Sequence, residues 1–430
     1  MLLAAGIIIL VLLLVLILKS NFLPGNIMAL VPLIVAILLG LGFENTLKMA
    51  HKGILDVAAI VVLFIFASIF FGVVSDAGMF DPIIKGLMKS KWIGKSIFSV
   101  VCIAGIIAMA AHIDGQGVTT LIVTVPPMLI VFDKLHIKRS LLAMVFVLVT
   151  GSLDVLPWAG PVSRAATVTG IDVMVLFKAL LPTMALGLIL SFSALFIESR
   201  KEQKLGEFVP ADGTTFGEMK SSEEETALYR PKMFWFNITL TVLVVVLLFA
   251  GMPPHITFLA GCGIVLPMNY RTGKEQNKRI KEHSGDILVS ACTFIGAGIM
   301  LGIMEGGGIF TALGEGIAGL IPDALSPFIH FIFGVFVTPL SWLLNTDAMI
   351  YGIMPVIIKV GAESGISATK ITAMIIAGRV MGTGLCLTTP SVYLGLGMMG
   401  LNYKDTFMRL AKWSFIIGEI VVIFTGIVVQ

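Results

Sequence analysis

Long apolar runs alternate with short polar clusters along the whole chain. Runs long enough to cross, or nearly cross, a hydrocarbon core of ~30 Å occupy residues 2–18, 27–43, 55–75, 139–157, 176–197, 233–251, 256–270, 286–304, 368–386 and 405–428. Each predicts a transmembrane helix. Two further regions, 96–132 and 325–358, are interrupted centrally by His112-Ile-Asp-Gly-Gln-Gly117 and Asn345-Thr-Asp347. Each reads as a re-entrant hairpin of two half-length helices meeting at a polar tip. A bilayer tolerates such a tip only where it is buried in protein or faces water. The pattern predicts an all-α integral membrane protein with ten full spans and two hairpins.

Composition agrees. Hydrophobic residues make up 57% of the chain and charged ones 13%, with mean hydropathy +1.02, about half the charge of a soluble domain. A net charge of +3 implies no nucleic-acid-binding surface; the partner is the lipid bilayer. Cys102, Cys262, Cys292 and Cys386 are scattered through apolar runs without paired spacing. They read as small core residues, with neither a disulfide framework nor a metal site indicated. The first run lacks a basic leader and a small-residue exit, and reads as a span and not as a signal peptide.

Charge position sets the orientation. With the N-terminus outside, 22 lysines and arginines fall on the cytoplasmic side. Only Lys48, Lys52, Lys178, Lys359 and Lys370 fall outside, and Arg164 and Arg379 lie at membrane depth. By the positive-inside rule, both termini are expected outside a multi-pass protein of the cytoplasmic membrane.

The chain also repeats itself. Gly72, Gly78 and Phe80 recur as Gly302, Gly308 and Phe310, displaced by 230. The first tip and Pro126 match the second tip and Pro355, and the break at Pro157 to Pro161 matches that at Thr388 to Pro390. Five full spans per half is an odd number, so the second half enters the membrane from the opposite side, giving inverted repeats. The expected organisation is repeat 1 over 1–198 (scaffold helices 1–78, arm and transport part 79–198), a polar cytoplasmic linker over 199–231, and repeat 2 over 232–430 (scaffold 232–305, arm and transport part 306–430).

Inverted repeats with discontinuous helices are an arrangement of secondary carriers. A helix beginning at mid-membrane aims free N–H groups and its positive dipole end at the midplane, which suits an anion. Two such helices are expected to start near Val118 and Ala348. Gly115 and Gly117 permit the reversal before the first. Asp114 at that tip is either a cap for the Gly117 or Val118 N–H or a cation ligand or proton site beside the substrate, with Gln116, Thr119 and Thr120 as neutral ligands. His112 reads equally as a hairpin residue or a proton relay. Asn345, Thr346 and Asp347 form the second tip. The break Leu156-Pro157-Trp158-Ala159-Gly160-Pro161 cannot stay helical, and Arg164 follows it as either a carboxylate partner for substrate or an internal partner of Asp154. Arg379 precedes the matching break, where Thr389 and Ser391 are further candidates. Asp114, Asp154 and Asp347 are the candidate coupling-cation residues; no resident metal site or cofactor is indicated.

These clusters resemble, in order and over nearly the whole chain, the CitMHS family of citrate symporters within the ion transporter superfamily that includes the dicarboxylate/sodium symporters. The carriers of the resemblance are Phe71-Gly-Val-Val-Ser-Asp-Ala-Gly-Met-Phe-Asp-Pro82, Ile113-Asp-Gly-Gln-Gly-Val-Thr-Thr120, Leu156-Pro-Trp-Ala-Gly-Pro-Val-Ser-Arg-Ala-Ala166, and Pro339-Leu-Ser341 with Asn345 to Pro355. It implies an elevator with a dimerising scaffold and a moving transport domain, hence a homodimer. It also implies proton-driven uptake of a tricarboxylate or dicarboxylate, often as a divalent-metal complex. Two positions depart: Gln116 stands where the family has an aspartate, and Asp154 where an amide is more usual. The leading expectation is a carboxylate symporter coupled to H⁺, with Na⁺ second. A cation/proton antiporter is the alternative within transport. No G-x-S-x-G or H-E-x-x-H constellation supports an enzyme, and hairpin tips from both sides suit alternating access better than a channel.

Overall fold

The computed structural model describes residues 2–19, 22–79, 94–210, 230–318, 327–387 and 389–430, with Pro82, Gly86 and Trp92 between. Regular structure among these residues is helical throughout. Helices α1 (Leu2–Lys19), α2 (Pro24–Leu38) and α3 (Phe43–Asp76) open the chain. The first hairpin is α4 (Ile97–Ala111), a 3-10 turn at His112–Asp114, and α5 (Gly117–Lys134). It is followed by α6 (Arg139–Leu153), which passes through a π-helical stretch at Phe146–Thr150, then α7 (Gly160–Thr169) and α8 (Val173–Gln203). The second half contains α9 (Phe234–Phe249), α10 (Pro254–Asn269), α11 (Gly273–Gly306), α12 (Ile309–Ala318) and α13 (Ile329–Leu343). A π turn at Ala348–Ile353 runs into α14 (Met354–Glu363), and α15 (Ala368–Thr383), α16 (Pro390–Met398) and α17 (Tyr403–Val428) complete the chain.

Among the described residues, seven stretches are long and apolar enough to cross a membrane: α3, α4 with its 3-10 turn, α5, α8, α9 with the turn before it, the end of α11, and α17. Several other expected spans are shorter than anticipated. The run 27–43 stops at Leu38 because Gly40 and Gly42 adopt φ of +77° and +82°, left-handed conformations that end helices. The runs 139–157 and 368–386 stop at Leu153 and Thr383, ahead of their breaks. The hairpin arms differ in the other sense. Helices α4 and α5, of 15 and 18 residues, reach ~22 and ~27 Å at 1.5 Å per residue, nearer a full crossing than half of one. Pro126 and Pro127 lie inside α5 without ending it.

Helix starts recur at one displacement. Helices α2 and α10 begin at 24 and 254, α3 and α11 at 43 and 273, α7 and α16 at 160 and 390, and α8 and α17 at 173 and 403, each 230 apart. Phe80, Asp81, Thr388 and residues 211–229 of the linker expected over 199–231 lie outside the described residues, and the start of that expected linker continues α8 as far as Gln203.

Two of the longest helices, α3 and α11, touch backbone to backbone. A Cβ on Gly53 would stand 1.9 Å from the Gly298 carbonyl oxygen, and one on Gly302 2.2 Å from that of Met49. Gly296 meets Gly25 of α2 in the same way, at 2.1 Å. In lipid, where water cannot drive helices together, such close approach supplies the packing energy. Around this pair, large apolar side chains such as Ile189, Val242, Leu288, Phe336 and Ile427 face outward, as a bilayer solvent requires. No disulfide joins the four cysteines; Cys262 and Cys386 are buried and Cys102 half-buried, but Cys292 is exposed on α11 and is not a core residue.

The expected cytoplasmic ends carry ion pairs. Arg409 of α17 donates to Glu198 of α8 at 3.1 and 3.2 Å, and Asp76 of α3 meets His283 and Arg279 of α11 at 2.8 and 3.3 Å. Glu305, on the opposite end of α11, is exposed and accepts from Lys359 at 3.0 Å. Three of the long helices are capped by side chains where they start, by Asp172 on α8, the Thr272/Glu275 capping box on α11 and Asn402 on α17, whereas α3 starts after Gly42 without one. Helices α5, α7 and α16 start without a side-chain cap, and all three start at the same place.

Candidate functional site

That place is a cavity of about 190 Å³ bounded by both hairpin tips and both breaks. The first tip contributes Gly115, Gln116 and Gly117, and the first break Asp154, Gly160, Pro161 and Arg164. From the second half come Thr346, Thr383, Gly384 and Ser391. The π-helical part of α6 adds Phe146 and Thr150, while α3 and α11 close one side with Phe64 and Ser290. A π stretch beside a ligand cavity is where such irregularities concentrate.

The tip and the break are locked to each other. Gly115 has φ +72°, and a Cβ there would lie 3.2 Å from the Ala159 Cα, so glycine serves both the turn and the contact. The Trp158 indole donates to the Ile113 carbonyl oxygen at 2.7 Å. Asp114 is buried, and its carboxylate accepts the Gln116 N–H at 2.7 Å. It therefore closes its own turn, one residue earlier than a cap on Gly117 or Val118 would. Within the break, the Leu156 and Pro157 carbonyls already accept from Ala159 N and the Ser163 hydroxyl.

Arg164 does not pair with Asp154. Its Nε donates to Asp347 Oδ1 of the second tip at 2.7 Å, both side chains being about 15% exposed, and its guanidinium lies over the Phe294 ring at 5.5 Å. A Cβ on Gly160 would come within 2.6 Å of Arg164 Nη1, so the glycine leaves room for the guanidinium at the cavity. Asp154 instead meets His112, whose Nε2 lies 2.9 Å from Asp154 Oδ1 and whose Nδ1 lies 2.7 Å from Thr120 Oγ1. Asn345 caps the turn after the second tip by accepting Ala348 N–H at 2.8 Å.

Of the residues expected from the sequence, Gly115, Gln116, Gly117, Asp154, Gly160, Arg164, Thr346 and Ser391 line the cavity. Asp347 touches it through Arg164. Asp114, Thr120 and Asn345 are engaged in holding the tips. Thr119, Pro157 and Thr389 lie in the same elements but off the lining. Arg379, read from the sequence like Arg164 as a substrate or internal carboxylate partner but not counted among the site residues, is fully buried and donates to Thr346 at 2.8 Å and Thr383 at 2.9 Å. Its charge inside an apolar run was the available signal. Phe64, Thr150 and Ser290 carried no comparable signal, since only tertiary packing brings them here.

The electrostatics favour an anion. Three uncapped helix starts, of α5, α7 and α16, face the cavity, each a partial positive charge with free N–H donors. Two guanidiniums back them. Thr346 and Thr383 accept from Arg379, and Thr383 donates to the Arg379 carbonyl. The Thr346 hydroxyl proton thus remains available to a ligand, polarised by the buried charge behind it. Among the described residues, no group of three or more His, Cys, Asp or Glu side chains could hold a metal ion.

Comparison with known proteins extends this picture. The chain is 29% identical over 385 residues to the citrate transporter of Bacillus subtilis (strain 168), covering 89% of this chain and 88% of that one. It is 27% identical over 388 residues to the Mg(2+)/citrate complex secondary transporter of the same organism, covering 90% and 89%. The YdaH transporter of Alcanivorax borkumensis, at 15% identity, superposes with a TM-score of 0.62 over 87% of this chain and 88% of that one, a likeness of fold. A citrate transporter family profile, CitMHS, matches residues 9–377. The chain therefore belongs to the CitMHS citrate transporter family, whose members are transporters and not enzymes.

Proposed function

We propose that the protein is a secondary active symporter that carries a small carboxylate, citrate or a dicarboxylate, across the cytoplasmic membrane together with a proton. One observation carries this reading: three uncapped helix starts, Arg164 and the Arg379-backed Thr346 hydroxyl converge on one cavity built from both halves of the chain. An anion with several carboxylates matches several separate donors; a bare cation does not. The names of the two Bacillus subtilis relatives point the same way. One of them also supports a divalent ion travelling as part of the cargo, chelated by substrate. The constant 230-residue displacement supports inverted repeats, and the cavity between two tips supports alternating access by an elevator motion of a dimer. Asp114, Asp154 and Asp347 are the carboxylates nearest the cargo and the coupling candidates, H⁺ before Na⁺. The charge distribution supports both termini facing outside.

Purified protein in liposomes should accumulate radiolabelled citrate when the outside is made acidic. An imposed sodium gradient should add little, and Mg²⁺ in the uptake medium distinguishes free citrate from its metal complex. Uptake indifferent to both gradients would sink the symport reading.

A further inference from the structure

The hydrogen bonds around His112 engage both ring nitrogens. The Thr120 hydroxyl lies 2.7 Å from His112 Nδ1 and 2.9 Å from the Gln116 carbonyl oxygen, and that carbonyl also accepts the Thr120 N–H. Nε2 faces Asp154 Oδ1 at 2.9 Å. With the imidazole neutral, Nε2–H donates to the carboxylate and Nδ1 accepts from the Thr120 hydroxyl. With one further proton both ring nitrogens donate, and the Thr120 hydroxyl turns to the Gln116 carbonyl. Every polar group keeps a partner in both states, so the pair can gain or lose one proton without stranding a buried group.

We infer that His112 and Asp154 form the coupling-proton site of this carrier, a buried pair that holds one exchangeable proton in the wall of the substrate cavity. The inference rests on the carboxylate symport proposed above and assigns the proton's place within it. His112 is 2% exposed, while Asp154 opens on the cavity. A proton on the pair can thus exchange only through the compartment that also receives substrate. Sodium fits less well: a hard cation takes oxygen ligands, and here a ring nitrogen occupies the Asp154 oxygen.

The surrounding charges explain coupling. Asp114 neighbours the pair on its own tip, Arg164 and Arg379 face it from α7 and α15, and Asp347 lies behind Arg164. With its proton the pair is neutral; without it the pair adds one negative charge beside the helix starts that await an anion. Proton and carboxylate therefore favour each other's binding, and by linkage the effect is reciprocal.

The test is the number of protons moved per citrate, obtained from the citrate gradient that nulls net flux at a series of imposed pH gradients in proteoliposomes. His112→Gln and Asp154→Asn should each lower the ratio by one, and the double variant should fall no further, because a single shared proton is lost. An unchanged ratio in both single variants overturns the site. If a variant no longer transports, calorimetric titration with citrate in buffers of different ionisation enthalpy counts protons taken up on binding. Wild type should take up one more than either variant, and equal uptake overturns the site. Wild-type protein that neither moves nor binds citrate removes instead the carboxylate reading beneath it.

Discussion

Arg379 and Thr346 sit on different elements of the second half, yet the guanidinium of one donates to the hydroxyl of the other at 2.8 Å. Arg379 is fully buried, its Nε has no hydrogen-bond partner among the described residues, and its two bonds to side chains go to hydroxyls. A buried cation satisfied only by neutral groups is short of negative charge. The cavity bordering those hydroxyls is where that charge can be supplied.

Thr346→Val should therefore weaken citrate binding without disabling the carrier. The substitution keeps the shape and removes both the acceptor for Arg379 and the donor for the ligand, and hydrogen bonds to charged groups are worth ~1.5–3 kcal/mol. The KM for citrate should rise about tenfold or more, with ~1.4 kcal/mol per factor of ten, while Thr346→Ser stays near wild type. Uptake kinetics in proteoliposomes decide it; equal KM values for the Val and Ser variants would remove the hydroxyl from the site.

Arg164→Ala separates binding from stability. It deletes a cavity guanidinium and strands Asp347, its partner at 2.7 Å. Removing one member of a buried pair costs ~3–5 kcal/mol; with both groups about 15% exposed, the lower end applies. The variant should lose citrate uptake, elute as wild type does and melt several degrees lower. Adding Asp347→Asn should restore most of the melting temperature and none of the transport. Transport recovered in the double variant would mean that Arg164 serves only to neutralise Asp347.

Much of this site could be read from the chain, and the reasons for the remainder are physical. Gly115, Pro157, Gly160 and Arg164 declare themselves, because a glycine-rich interruption, a proline break or a charge inside an apolar run has no other economical use in lipid. The 230-residue displacement announced itself through Gly72, Gly78 and Phe80, and reappears in the starts of α2 and α10, α3 and α11, α7 and α16, and α8 and α17. Partners were not legible. Asp154 and Asp347 lie at membrane depth on different elements, and either could have taken Arg164. Only the packing of α7 against the second tip assigns Asp347 to it and leaves Asp154 for His112. Helix length was misjudged at the hairpins, since a central polar cluster says where a helix turns and not how far its arms extend.

Two glycines of the site make opposite predictions. In Gly115→Ala the new Cβ meets the Ala159 backbone at 3.2 Å from a residue at φ +72°; the left-handed conformation alone costs ~1–2 kcal/mol. That variant should lose stability and transport together. In Gly160→Ala the atom in the way is Arg164 Nη1, the far end of a flexible side chain. The melting temperature should stay close to wild type while the guanidinium is pushed aside and the KM for citrate rises. Paired melting and uptake measurements test the contrast, and a Gly160→Ala protein with wild-type KM would show that the Arg164 position is not critical.

The contact of α3 with α11 should matter more than any single cavity residue for the fold, and through the fold for transport. A Cβ on Gly53 would lie 1.9 Å from the Gly298 carbonyl oxygen, a backbone atom that cannot rotate away. The two helices must therefore separate, and overpacking of this kind costs ~1–3 kcal/mol or more. Gly263 on α10 provides the control, because a Cβ there meets nothing within 4 Å and alanine is the better helix former by ~1 kcal/mol. Gly53→Ala should melt well below wild type in detergent, and Gly263→Ala at or slightly above it. Since α3 and α11 bring Phe64 and Ser290 to the cavity, Gly53→Ala should also lower citrate uptake even at temperatures where the protein stays folded. Equal melting of the two variants would show that these helices are not held at backbone contact.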